Sequence, residues 1–122
     1  MSSATNVVKA TLWISALFNL TAGYIFAFPG SYPGQLLGLS QAVHPIYAAL
    51  TACLIFLLAA AYTWLARQPT PDRPFLFFGA IGKLGVFLIA LCLSLSGVIS
   101  LMLTLVASGE LVLAGIWFGW LY

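Results

Sequence analysis

Charge is the scarcest thing in this chain. Four of its 122 residues are Lys or Arg and two are Asp or Glu, 5% in all, where soluble domains carry roughly 25%. Six charges cannot clothe a 13.0 kDa globule in water, so the water-soluble class is excluded. The apolar residues, 63% of the chain, must then face lipid. A net charge of +2 with no basic tract offers nothing to a nucleic-acid backbone. Histidine is nearly missing too. His44 stands alone, so bis-His haem ligation is excluded within the chain, and no Cys or carboxylate lies near it in sequence to build a metal site. The two cysteines, Cys53 and Cys92, form no C-x-x-C and lie in apolar runs, so each reads as a small packing residue rather than a redox centre. A phosphate-binding Gly-rich loop, G-x-S-x-G and H-E-x-x-H are all lacking. The residues therefore give no catalytic group, metal or cofactor.

What is present is long apolar runs. Crossing ~30 Å of hydrocarbon at 1.5 Å per residue takes about 20 apolar residues. Four runs qualify, at about 9–28, 45–66, 74–96 and 98–122. Pro29-Gly30 closes the first, and Pro45 and Pro74 open the second and third at the first helical position. The first run exceeds a signal-peptide core and no A-x-A-like site follows it, so it reads as a span. The runs are continuous rather than alternating and twice the length of a barrel strand, which excludes a β-barrel reading. Segment 29–44 is the longest connection, and its Gln-Leu-Leu-Gly-Leu suggests a short stretch at the membrane surface. Segment 67–73 is a polar, Pro-bearing turn, and Ser94, Ser96 and Gly97 mark a tight one. Short loops make consecutive helices antiparallel neighbours. The expected fold is all-α: one integral membrane domain, a four-helix up-down-up-down bundle.

Orientation follows from the few charges. Lys9, Arg67 and Arg73 fall on one side with Asp72, and the opposite connections contain no Lys or Arg. The positive-inside rule makes that side, and both N and C termini, cytoplasmic. Trp13, Trp64, Trp117 and Trp120 all fall near it, where indole rings favour the headgroup level, while Tyr32 and Tyr47 mark the outer edge. Gly115 and Gly119 form a G-x-x-x-G, and Gly79, Gly82 and Gly85 recur along the third run. Such spacing serves either close packing inside the bundle or self-association into a homo-oligomer.

The remaining charges lie inside spans. Lys83 is ten residues past Arg73 and Glu110 twelve before Tyr122, about 15 and 18 Å from the cytoplasmic edge. Asn19, ten residues past Lys9, lies again about 15 Å deep. A lone charge at mid-membrane costs at least ~2.5–3.5 kcal/mol, so these groups turn inward and pair. The expectation is a buried Lys83–Glu110 ion pair with Asn19 hydrogen-bonded to one member, and with Thr21, Tyr24 and Thr51 adding hydroxyls nearer the outer side. Such a pair either fixes the register of the bundle or binds a polar headgroup, a quinone carbonyl or a proton. Cys53 and Cys92 should stand about 21 and 28 Å above the same edge. That offset exceeds the reach of a disulfide, so two free thiols are expected.

Asn19 and Gly23 in the first run, Phe28-Pro29, the Leu-Gly-Leu of 37–39, Gly82-Lys83 and the fourth-run acid Glu110 together resemble small four-helix bacterial membrane proteins of the DoxX-like kind, over most of the chain. The resemblance implies a multi-pass protein of the inner (plasma) membrane. Named members are described as subunits associated with quinone-linked sulfur oxidation, which implies a membrane subunit near a quinone rather than an enzyme by itself. It carries over no catalytic residue. The functional expectation is a non-catalytic membrane subunit or binding module. It would hold a small amphipathic ligand or a partner helix against the Asn19–Lys83–Glu110 layer, alone or in a larger membrane complex. The alternatives are a proton-coupled small transporter acting as an oligomer and a quinone-associated subunit of a redox complex.

Overall fold

The computed structural model describes residues 3–39 and 44–122. Among them the chain is all-helical, in the order α1 (Ser3–Ala27), α2 (Tyr32–Leu36), α3 (Pro45–Arg67), α4 (Arg73–Leu95) and α5 (Leu101–Leu121). The four longer helices are each long and apolar enough to cross a membrane.

Their boundaries follow local chemistry. α1 begins at Ser3, ahead of the apolar run, because its first turns are not idle: Thr5 and Val8 are already buried. The Nδ1 of His44 accepts the amide of Ile46 and caps α3. Asp72 caps α4, its carboxylate accepting the Phe75 amide at 3.0 Å, with Pro74 following at a position where no amide hydrogen is needed. α5 starts at Leu101, later than the sequence suggests. Gly97 adopts φ +75° and ends α4 in a left-handed turn, and Ser100 then caps α5 by accepting the Leu103 amide. The 29–44 connection contains α2, capped by Ser31; residues 40–43 of that connection lie outside the described residues.

Helix packing is concentrated in two pairs, α1 with α3 and α4 with α5, joined by a smaller α1–α5 contact. Gly23 makes the first pair close: a Cβ there would stand 2.5 Å from the Phe56 ring. One core serves all four long helices. Val8, Leu12 and Ala16 meet Tyr62, Leu65 and Ala66, Leu76 and Ala80, and Trp117 and Leu121. It sits toward the end bearing Lys9, Arg67 and Arg73. Arg73 donates to the Leu121 carbonyl and covers the Trp120 ring at 5.3 Å, so a cation closes the C-terminus of α5, where the helix dipole favours it. In lipid no water is released by joining apolar helices, and cohesion comes from van der Waals fit and interhelical hydrogen bonds. That is why small residues (Ala16, Ala66, Ala80, Ala114) fill the buried stripes.

Candidate functional site

Gly79 sits one turn before Lys83 on α4. It has no side chain to fill the space, so the rings of Tyr62 from α3 and Trp117 from α5 close in: a Cβ on Gly79 would lie 3.2 Å from one and 3.3 Å from the other. The rings meet edge to face, centroids 5.3 Å apart at 60°. The Lys83 ammonium stands over both, 4.8 Å from the Tyr62 centroid and 5.2 Å from that of Trp117. Its Nζ donates to Glu110 Oε2 at 2.8 Å. An ammonium has three donors and no acceptor. Here one donor meets a carboxylate and two aromatic faces take the rest of the charge, an arrangement worth ~2 kcal/mol or more when desolvated. Lys83 is 1% exposed and Glu110 6%, so the pair is shielded from the bulk surroundings.

The box is braced from the first helix. Trp117 Nε1 donates to Thr11 Oγ1 at 2.8 Å, and Thr11 donates in turn to the Val8 carbonyl at 2.7 Å. One hydroxyl of α1 thereby fixes the indole that covers Lys83. The carboxylate is less fully engaged than the ammonium. Among the described residues, Glu110 Oε1 is buried with no hydrogen-bond partner, and the same is true of Ser15 Oγ on α1.

The structure thus brings Lys83 and Glu110 together and leaves the other expected groups elsewhere. Asn19 is buried, but its amide donates to the Ile55 carbonyl of α3 at 3.2 Å rather than to either charge, so it ties α1 to α3. Thr21 is exposed and donates back to the Leu17 carbonyl of its own helix. Tyr24 is exposed against Phe28, and Thr51 is exposed on α3. None of these three side chains is drawn inward, because a hydroxyl in lipid is satisfied by its own helix or at the interface without needing the charged pair. Trp117 is a further correction. Its expected place was the headgroup belt with Trp13 and Trp64, which are about half exposed; instead it is fully buried. The indole N–H finds Thr11 inside the protein and so has no need of the interface.

Sequence reasoning missed Tyr62, Trp117, Thr11 and Gly79. A signal existed for two of them. Trp117 is two turns from Glu110 on one face, and Gly79 one turn from Lys83. Nothing in the sequence pointed to Tyr62 or Thr11.

Outside this layer the chemistry is sparse. Among the described residues no three His, Cys, Asp or Glu side chains gather where a metal could sit. Cys53 and Cys92 are free and exposed. Two surface depressions are open ones on the α3 side, one of about 450 Å³ lined by Ala49, Ala52, Cys53, Phe56 and Leu57, and another over Ala60, Thr63, Trp64, Arg67 and Gln68. Neither reaches Lys83 or Glu110. Compared with known protein families, curated proteins and solved structures, the chain matches none.

Proposed function

We propose that this chain is a multi-pass protein of the inner (plasma) membrane, folded up-down-up-down with both termini cytoplasmic, and that it serves as a non-catalytic membrane subunit holding a partner helix. The observation that carries the reading is the direction of its glycines. Gly82 on α4 and Gly115 and Gly119 on α5 are exposed, and a Cβ at any of them, or at Gly85, would meet nothing within 4 Å. Packing inside the bundle therefore gives these four positions no reason to be glycine. Close approach of a helix from outside does. A second copy of this chain is the partner the reading commits to. A small ligand at the polar layer has less support, because Lys83 is taken up by Glu110 and two rings, and Asn19 by Ile55.

Energy transfer between donor-labelled and acceptor-labelled copies in liposomes tests this. Transfer should exceed that of a monomeric control at the same protein-to-lipid ratio and disappear in Gly115→Ile/Gly119→Ile. Transfer no greater than the control, or unmoved by the double substitution, would remove the support for a glycine-faced contact.

One observation favours a second reading, proton-coupled transport by an oligomer: Glu110 keeps a buried oxygen without a protein partner, and an intramembrane acid of that kind can take up a proton. With a pH-sensitive dye trapped in the liposomes, Glu110→Gln should abolish pH-driven proton flux while the protein stays folded. Flux that survives the substitution sinks this reading. The quinone-associated alternative rests on the DoxX-like resemblance alone.

A further inference from the structure

Several hydroxyls in the helices of this chain share one habit. Thr11, Thr21, Thr63, Ser96, Thr104 and Ser108 each donate to a carbonyl three or four residues earlier in their own helix or its cap. Ser15 does not. It is 0% exposed, its Oγ has no partner among the described residues, and the backbone carbonyl one turn back is the usual recourse for such a group. A buried hydroxyl left unsatisfied gives up its hydrogen bonds to water with nothing in return. Glu110 Oε1 is in the same condition on α5, and a charged acceptor left bare costs more.

The two orphans lie on helices that touch, on the same side of one observed contact. Thr11 and Trp117 fix α1 against α5 at 2.8 Å. From that contact Ser15 lies one turn onward in α1 and Glu110 two turns back in α5. Both steps lead away from the end where Val8 and Leu121 share the core. The Glu110 carboxylate also reaches back toward the contact, because its partner Nζ stands over the Trp117 ring. Both residues lie on the buried stripes of their helices, which also carry the small side chains Ala16, Ala107 and Ala114.

We propose that Ser15 Oγ and Glu110 Oε1 are the two protein ends of a mid-membrane site for a single water molecule, which donates to the carboxylate oxygen and accepts from, or donates to, the serine hydroxyl. Water is the smallest group able to do both, and buried waters are held by two to four otherwise unsatisfied polar atoms of this sort. An apolar ligand would leave both atoms bare, and a second cation would be repelled by Lys83. The site completes the coordination of the ion pair: Lys83 is covered by rings on one side and Glu110 is hydrated on the other. It does not rest on the partner-helix reading, and either can fail without the other.

Glu110 is the only glutamate in the chain, so ¹³C-glutamate marks it alone. Solid-state NMR of the full chain in lipid bilayers can then follow magnetisation from water protons to Glu110 Cδ, together with the Lys83 Nζ–Glu110 Cδ contact as a check that the pair is intact. Wild type should show rapid transfer from water. Ser15→Ala should lose it while keeping the Nζ–Cδ contact, and Ser15→Thr should restore it. The proposal is overturned if wild type with an intact pair shows no transfer, or if Ser15→Ala transfers as fast as wild type. A Cδ shift typical of a protonated carboxyl, without water transfer, also overturns it, by placing a proton between the two residues where the water should be.

Discussion

At the scale of single residues, the cost of charge in hydrocarbon organises the chain. Lys83 and Glu110 neutralise each other at 2.8 Å within a nearly sealed core. Removing one partner of such a pair strands the other and typically costs about 3–5 kcal/mol, whereas replacing both with apolar groups of similar size is often neutral. Lys83→Met should therefore destabilise the fold by about 3–5 kcal/mol, and Lys83→Met/Glu110→Leu should recover most of that loss. Reversible unfolding in mixed micelles measures both. A double variant as unstable as the single one would show that the pair contributes more than mutual neutralisation. The sequence made the pair legible because a charge in a span has so few alternatives. It did not make Asn19 legible, because an amide can be satisfied by any carbonyl within reach, and here it donates to that of Ile55.

At the scale of elements, the ends are set by caps and the middles by what they bury. Ser100 does two jobs: its Oγ accepts the Leu103 amide at the start of α5 and donates to the Leu37 carbonyl at 2.7 Å, just after α2. Gly38, at φ +73°, turns the chain against Ser100 at a distance of 3.2 Å from its Cβ position. Ser100→Ala should cost about 1 kcal/mol, the usual value of an N-cap, and free the 37–39 segment from α5. Amide hydrogen exchange should quicken at Leu103 and Leu39 while Glu110 and its neighbours stay protected. Exchange unchanged at both amides would mean that the tie carries no stability. These elements were visible as apolar runs, but their limits were not. The onset of α5 was placed too early because Val98 and Ile99 are as apolar as the helix, while the positive φ of Gly97 and the cap at Ser100 decide where it begins.

At the scale of the whole molecule, the helices form two tight pairs leaning together at one end. The glycines divide accordingly: Gly23 and Gly79 face neighbours within the chain, and Gly82, Gly85, Gly115 and Gly119 face outward. The proposed topology makes a further prediction. In a background lacking Cys53 and Cys92, a cysteine replacing Thr70 in the 67–73 turn should react with a membrane-impermeant maleimide from the cytoplasmic side only. One replacing Tyr32 should react from the opposite side only. Labelling of both from the same side would refute the up-down-up-down arrangement.

The sequence by itself determined that four stretches of this chain are long and apolar enough to cross a membrane as helices, because six charges among 122 residues cannot cover a water-facing surface and hydrocarbon demands that every backbone group be satisfied within its own segment. It also pointed to a meeting of Lys83 and Glu110, since two opposite charges at one depth are costly apart, and the structure shows them paired. Only the tertiary structure decided what surrounds them: Tyr62 and Trp117 over the ammonium, Thr11 holding the indole, and Ser15 and one carboxylate oxygen left over. The reason is physical. Depth along a helix can be counted from its rise per residue, but lipid rewards any apolar face equally, so which faces turn toward each other is settled by fit between side chains on different helices.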